Sequence, residues 1–161
     1  MPSLQQQLDR IAAKLAPKID NALAHEVADA VRDEESATIK EVVYGVYTPK
    51  LYRRRGDIDG FGDDYNIEAK VKNGTLTVRN VTEPNPGGVL NNAQVTTGKH
   101  LDELIEYGYG SANGSYDFPK RGAAFMKARP FTKKTIEHLK QNKAHVKALK
   151  KGLKRLNITT K

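Results

Sequence analysis

Apolar residues recur at spacings of three or four through the start of the chain: Leu4, Leu8, Ile11, Leu15, Ile19, Leu23, Val27 and Val31. That is the 3.6-residue period of an α-helix, and it lays one apolar stripe along a long amphipathic segment. Ser3 precedes the stripe as a cap, because a serine hydroxyl can accept from backbone N–H groups the first turn leaves unpaired. Pro17 lies inside the run, where its ring presses on the carbonyl of Ala13 and one hydrogen bond is lost. The spacing therefore predicts a kink or two abutting helices. Asp33-Glu34-Glu35 is read as the end of the run, with Ser36 capping a second short helix through Val43 or Tyr47.

The clearest β pattern follows later. Asn66-Ile67-Glu68-Ala69-Lys70-Val71 and Leu76-Thr77-Val78-Arg79-Asn80-Val81 each alternate apolar and polar residues. Asn73-Gly74 stands between them, and both residue types tolerate the positive φ that a tight hairpin turn needs. Lys99 to Tyr107 reads as a short helix with Leu101, Leu104 and Ile105 inward. A last helix is expected from Thr132 to Leu156, with Ile136, Leu139, Val146, Leu149, Leu153 and Leu156 on one stripe. Gly152 weakens it by ~1 kcal/mol relative to alanine, so its end is expected to fray. The fold class is α+β: a long N-terminal amphipathic helix, a small antiparallel sheet with an Asn-Gly hairpin, and a basic C-terminal helix.

A length of 161 residues argues for one domain over 1–161. Its expected parts are an N-terminal helical segment (1–35), an α+β core with long loops (36–131) and a basic C-terminal helix and tail (132–161). With 38% hydrophobic residues and no Trp, the core is modest. Loops are expected at 53–65 and 83–98, where Gly, Asp, Pro and Asn concentrate. There is no Cys, which excludes disulfides, thiolate metal sites and a cysteine nucleophile. No apolar signal-peptide core opens the chain and no stretch approaches the ~20 apolar residues that span a bilayer. No membrane contact is expected, and synthesis in the cytoplasm is the default.

Several short patterns suggest chemistry and fall short of it. The loop from Asp57 to Glu68 places Asp at positions 1 and 3, Gly at 6 and Glu at 12, as a calcium loop would. Its position 5 is Phe61, which offers no side-chain oxygen, so a solvated acidic loop facing Arg53-Arg54-Arg55 is the preferred reading. Glu68-Ala69-Lys70 behind Asp63 and Asp64 suggests the acids and lysine of a metal-dependent nuclease. The acids are crowded at one hairpin, and alternation alone explains Glu68 and Lys70. Arg55-Gly56-Asp57 is an integrin-type tripeptide in a chain with nothing else extracellular about it. His25, His100, His138 and His145 form no pair at i, i+4 spacing. There is no nucleophile elbow and no phosphate-cradling glycine loop. The expectation is a protein with no catalytic residues, no metal and no cofactor.

Charge is polarised along the chain. Residues 1–119 carry 13 Lys+Arg against 18 Asp+Glu, a net of −5, whereas residues 120–161 carry 14 against Glu137 alone, a net of +13. Opposed fields of this kind steer head-to-tail contacts or contacts with acidic partners. Lys143, Lys147, Lys150, Lys151 and Lys154 are the candidate contacts with nucleic acid or an acidic partner, since clustered cations neutralise phosphates.

The run Tyr44-Gly45-Val46-Tyr47-Thr48-Pro49-Lys50-Leu51-Tyr52-Arg53-Arg54 resembles a Tyr-x-Pro-x-x-Tyr-x-Arg-Arg signature of small neck proteins of long-tailed bacteriophages. These form the tail-completion or head–tail joining class of minor tail components. Glu106-Tyr107-Gly108 and Arg129-Pro130-Phe131 resemble two further short features of that class, in the same order. The resemblance covers roughly residues 36–155. It implies a structural virion protein, assembled in the host bacterial cytoplasm as a hexameric or dodecameric ring at the neck. Head-closure, tail-terminator or tail-tube proteins would be its neighbours. The strongly basic terminal helix departs from that class and points to contact with packaged DNA. Tyr47, Tyr52, Arg53, Arg54, Arg55, Arg129 and Phe131 are the implied interaction residues. The alternative is a nucleic-acid-binding accessory protein that uses the terminal lysines.

Overall fold

The computed structural model describes residues 2–46, 60–82, 101–108 and 128–159. Helix α1 (Leu4–Ala22) starts at a reciprocal cap: the Gln6 N–H donates to Ser3 Oγ at 3.2 Å, and the Ser3 N–H donates to Gln6 Oε1 at 3.0 Å. It passes through Pro17 without ending, so two abutting helices are not what forms. A π-helical turn (Leu23–Val27), helix α2 (Ala28–Ile39) and a second π turn (Lys40–Tyr44) follow directly in sequence. The Gly45 N–H closes the last turn on the Lys40 carbonyl at 2.9 Å. Each π turn rephases the helix, changing which residues face inward.

The expected break at Asp33-Glu34-Glu35, with Ser36 as a new cap, is therefore corrected. Helix α2 runs through all four residues. Glu35 and Ser36 are buried, and the Ser36 hydroxyl donates to the Gly62 carbonyl at 2.7 Å. A polar cluster reads as a terminus only while its partners are invisible.

Strands β1 (Ile67–Lys72) and β2 (Thr75–Asn80) pair as a two-stranded antiparallel sheet. Asn73 at φ 51° and Gly74 at φ 75° lie between them. Helix α3 (Leu101–Tyr107) is followed, beyond an undescribed stretch, by α4 (Phe131–Asn142) and α5 (Ala144–Arg155). The single helix expected from Thr132 to Leu156 is thus two, separated by Lys143 at φ 55°. The Asn142 side-chain oxygen accepts from the Ala144 N–H at 2.8 Å and starts the new helix.

The described residues divide into two compact units. In the first (1–34, 69–79 and 138–161), α5 lies beside α1 and the following π turn. Gly152 is buried there, and a Cβ on it would stand 2.7 Å from Ala22 Cβ. The glycine expected to weaken the helix is a contact point, and α5 continues past it to Arg155. The Gly74 N–H of the sheet turn donates to Asp20 Oδ1 at 2.9 Å. In the second unit (35–68 and 80–137), the core is Ile39, Val43, Phe61, Ile105 and Phe131. Phe61 and Phe131 meet edge to face with centroids 5.0 Å apart, the arrangement ring quadrupoles favour.

A candidate interaction surface

In the first unit, α5 buries one side and displays the other. Gly152 is buried and Leu149, Leu153 and Leu156 are half-buried, while Lys143, Lys147, Lys150, Lys151 and Lys154 are all exposed. Within α5, spacings of three and four bring Lys147, Lys150 and Lys154 onto one line, with Lys143 at the turn before it. Arg155 leaves that line and grips Glu26: its Nε and Nη2 donate to the carboxylate, the latter at 3.1 Å, and Nη2 also reaches Asn21 Oδ1 at 2.7 Å. This bond holds the Glu26 carboxyl below its ordinary range, against partial burial. At the other end of the helix pair Glu34 receives His138 Nδ1 at 3.2 Å and Asn142 Nδ2 at 2.7 Å. The lysine face is therefore held on a helix fixed at both ends by polar contacts.

The second unit brings three distant stretches together. The Arg129 N–H donates to the Ile105 carbonyl at 2.8 Å, and Arg129 Nη1 donates to the Val43 carbonyl at 3.0 Å. Glu106 accepts from the Thr132 N–H at 2.8 Å and from the Lys133 N–H at 3.4 Å. A carboxylate there complements the positive end of the α4 dipole. Phe131, 2% exposed, faces the core, so its contacts in this unit are with Phe61 and its neighbours. Arg129 is half-buried. Tyr47, Tyr52, Arg53, Arg54 and Arg55 lie outside the described residues, as do Asp57, Asp59 and the stretch 83–98.

Beside these contacts Glu35 is 7% exposed. Burial pushes its carboxyl up to about 7; Asp102 and Glu106 add to the rise, and a hydrogen bond with Asn80 opposes it. Asn80 itself donates to the Phe61 carbonyl at 2.7 Å and accepts the Thr82 hydroxyl at 2.6 Å. Within the loop read as a partial calcium site, Phe61 is in the core and Glu68 is exposed on β1. Among the described residues, no three His, Asp or Glu side chains converge as a metal site would require. None of the described helices is long and apolar enough to cross a membrane.

Sequence reasoning named Glu35, Glu106 and Gly152 without their contacts, and it missed Asn142. Only Asn142 carried a local signal, since asparagine favours helix starts. The others depend on partners far along the chain.

The family model described as YomN matches residues 7–155. The chain belongs to the YomN family. A relative, the SPbeta prophage-derived uncharacterized protein YomN of Bacillus subtilis (strain 168), is 34% identical over 123 residues. That alignment covers 76% of this chain and 72% of the relative. The YomN family match spans α5 with its lysines and the Glu106, Arg129 and Phe131 contacts. No solved structure matches the chain.

Proposed function

We propose that this protein is a non-catalytic structural component of a long-tailed phage particle, a subunit of a ring at the head–tail junction that acts in tail completion. The observation that carries this reading is the convergence in the second unit. Four hydrogen bonds join three stretches: Arg129 donates to the Val43 and Ile105 carbonyls, and the Thr132 and Lys133 N–H groups donate to the Glu106 carboxylate. Glu106 and Arg129 stand in two of the short features from which the resemblance to neck proteins is drawn, and Val43 precedes the Tyr44–Arg54 run, whose Tyr47 to Arg54 lie outside the described residues. A YomN relative that is prophage-derived supports a phage setting. The polarised charge suits a head-to-tail contact between neighbouring copies. Six or twelve copies, flanked by head-closure, tail-terminator or tail-tube proteins, make the proposed assembly.

Deletion of the gene from its phage tests this. The expected lysate contains filled heads and finished tails that remain separate, and the protein is found by mass spectrometry in wild-type particles. Normal joined particles from the deletion, or particles lacking the protein, overturn it.

A second reading is favoured by one observation, the exposed line Lys147, Lys150 and Lys154 on α5, with exposed Lys143 just before it. It makes the protein a nucleic-acid-binding accessory factor. Phosphate contacts give an affinity that falls steeply with salt. Duplex DNA binding that is absent, or unchanged when these lysines become glutamine, removes this reading.

A further inference from the structure

The apolar stripe of α1 is covered along only part of its length. Within the first unit α5 accompanies it from Glu26 back to Lys18: Gly152 faces Glu26 and Ala22, and Lys18 Nζ donates to the Leu156 carbonyl at 3.2 Å. Ahead of that point Leu4, Leu8 and Ile11 are 73%, 51% and 54% exposed. Leu15, next along the stripe, is half-buried. At ~1.5 Å per residue, Leu4 to Leu15 is about 16 Å of helix with an apolar side turned outward.

We propose that a second copy of this chain covers this segment, the two α1 N-terminal halves pairing antiparallel about a two-fold axis. Three features point to a like partner. The first is spacing. Leu4, Leu8, Ile11 and Leu15 are separated by four, three and four residues, which reads the same in both directions. An antiparallel copy therefore sets Leu4 against the other Leu15 and Leu8 against the other Ile11, each apolar residue meeting an apolar one. The second is charge. On the helix, the positions flanking the stripe are Gln5 and Ala12 on one side and Gln7 and Lys14 on the other. Asp9 and Arg10 fall behind it, so two copies bring no block of like charge together. The third is continuity. The exposed segment extends the surface that α5 already covers, and the Ser3–Gln6 cap keeps the helix formed to its first turn. A preorganised segment loses little freedom on pairing.

This contact is isologous, unlike the heterologous contact that closes a ring. It stands or falls independently of placement at the neck. Four apolar side chains along one helix are few beside the ~20–30 residues a side of a standard stable interface, so the pairing is reversible and depends on concentration.

Sedimentation equilibrium of the full chain tests it. The apparent mass should rise from 17.9 kDa toward twice that as concentration increases. Leu8→Glu with Ile11→Glu should hold the mass at 17.9 kDa with unchanged helix content and Tm, because both residues are exposed. Register is read by cross-linking, which the absence of Cys makes clean. Leu8→Cys and Ile11→Cys chains should oxidise to each other when mixed, whereas Leu4→Cys chains should not link to themselves. A wild-type chain that stays at its monomer mass to the limit of solubility overturns the proposal. So does association that survives the paired glutamates, or ready self-linking of Leu4→Cys.

Discussion

Gly152 and Ala22 meet in the first unit with no room for a methyl group between them: a Cβ on Gly152 would lie 2.7 Å from Ala22 Cβ and 2.6 Å from Glu26 Oε2. In an exposed helix, Gly→Ala adds up to ~1 kcal/mol of stability through backbone entropy. Here the new methyl must push α5 from α1 and disturb the Glu26–Arg155 pair, and overpacking of this sort costs about 1–3 kcal/mol. Gly152→Ala should therefore lower the urea midpoint, and Ala22→Gly in the same chain should restore part of the loss. A raised midpoint in the single variant would show that the helices have slack at this crossing.

Glu35 makes stability depend on pH with a definite sign. Its folded value of about 7 lies above the ordinary 4.5, so between those values the folded chain binds the extra proton and the unfolded chain does not. Stability is then highest below 4.5 as far as this group is concerned, and falls as pH rises through about 7. The full loss is about 3–4 kcal/mol at ~1.4 kcal/mol per pH unit. Glu35→Gln removes the charge and keeps the shape. It should be more stable than wild type at pH 8 by a large part of that amount, and no more stable at pH 4. Equal stabilities at pH 8 would show that Glu35 ionises without cost.

Glu26 has the opposite slope. The Arg155 guanidinium holds its folded carboxyl below 4.5, so its contribution is present above that value and fades as acid protonates the folded carboxylate. Glu26→Gln should flatten the acid limb of a stability–pH curve below pH 4.5 while leaving the limb near pH 7 to Glu35. If the acid limb keeps its full slope in the variant, the Arg155 contact is not maintained in solution.

The outline of the fold was legible where one element answers to one local period. The three-and-four spacing from Leu4 to Val31 carries the long N-terminal helix, and alternation around Ile67 and Val78 carries the two strands. What stayed hidden was everything decided at a distance. Asp33-Glu34-Glu35-Ser36 looks like a helix end by composition, yet Gly62, His138 and Asn142 supply the partners that keep it helical. Gly152 looks like a weak point until Ala22 is placed beside it. Phe131 drew notice beside Arg129 as a docking residue, and only the fold sets its ring against Phe61. The lysines of α5 were visible as a composition; that they share an exposed face depends on which side Gly152 buries.

Lys143 offers the last test, because the break between α4 and α5 rests on a lysine at φ 55°. A left-handed backbone costs an L-residue ~1–2 kcal/mol, a cost glycine does not bear. Glycine's extra freedom in the unfolded chain takes back part of that gain. Lys143→Gly should therefore stabilise the chain by about 0.5–1 kcal/mol, whereas Lys143→Ala should not. If Lys143 instead relaxes into a continuous helix in solution, the order reverses: alanine stabilises and glycine destabilises by roughly the ~1 kcal/mol of their helix propensities. Urea melts of the two variants decide between a hinge built into the basic region and an unbroken helix, and with it whether the lysine line starts from a fixed corner.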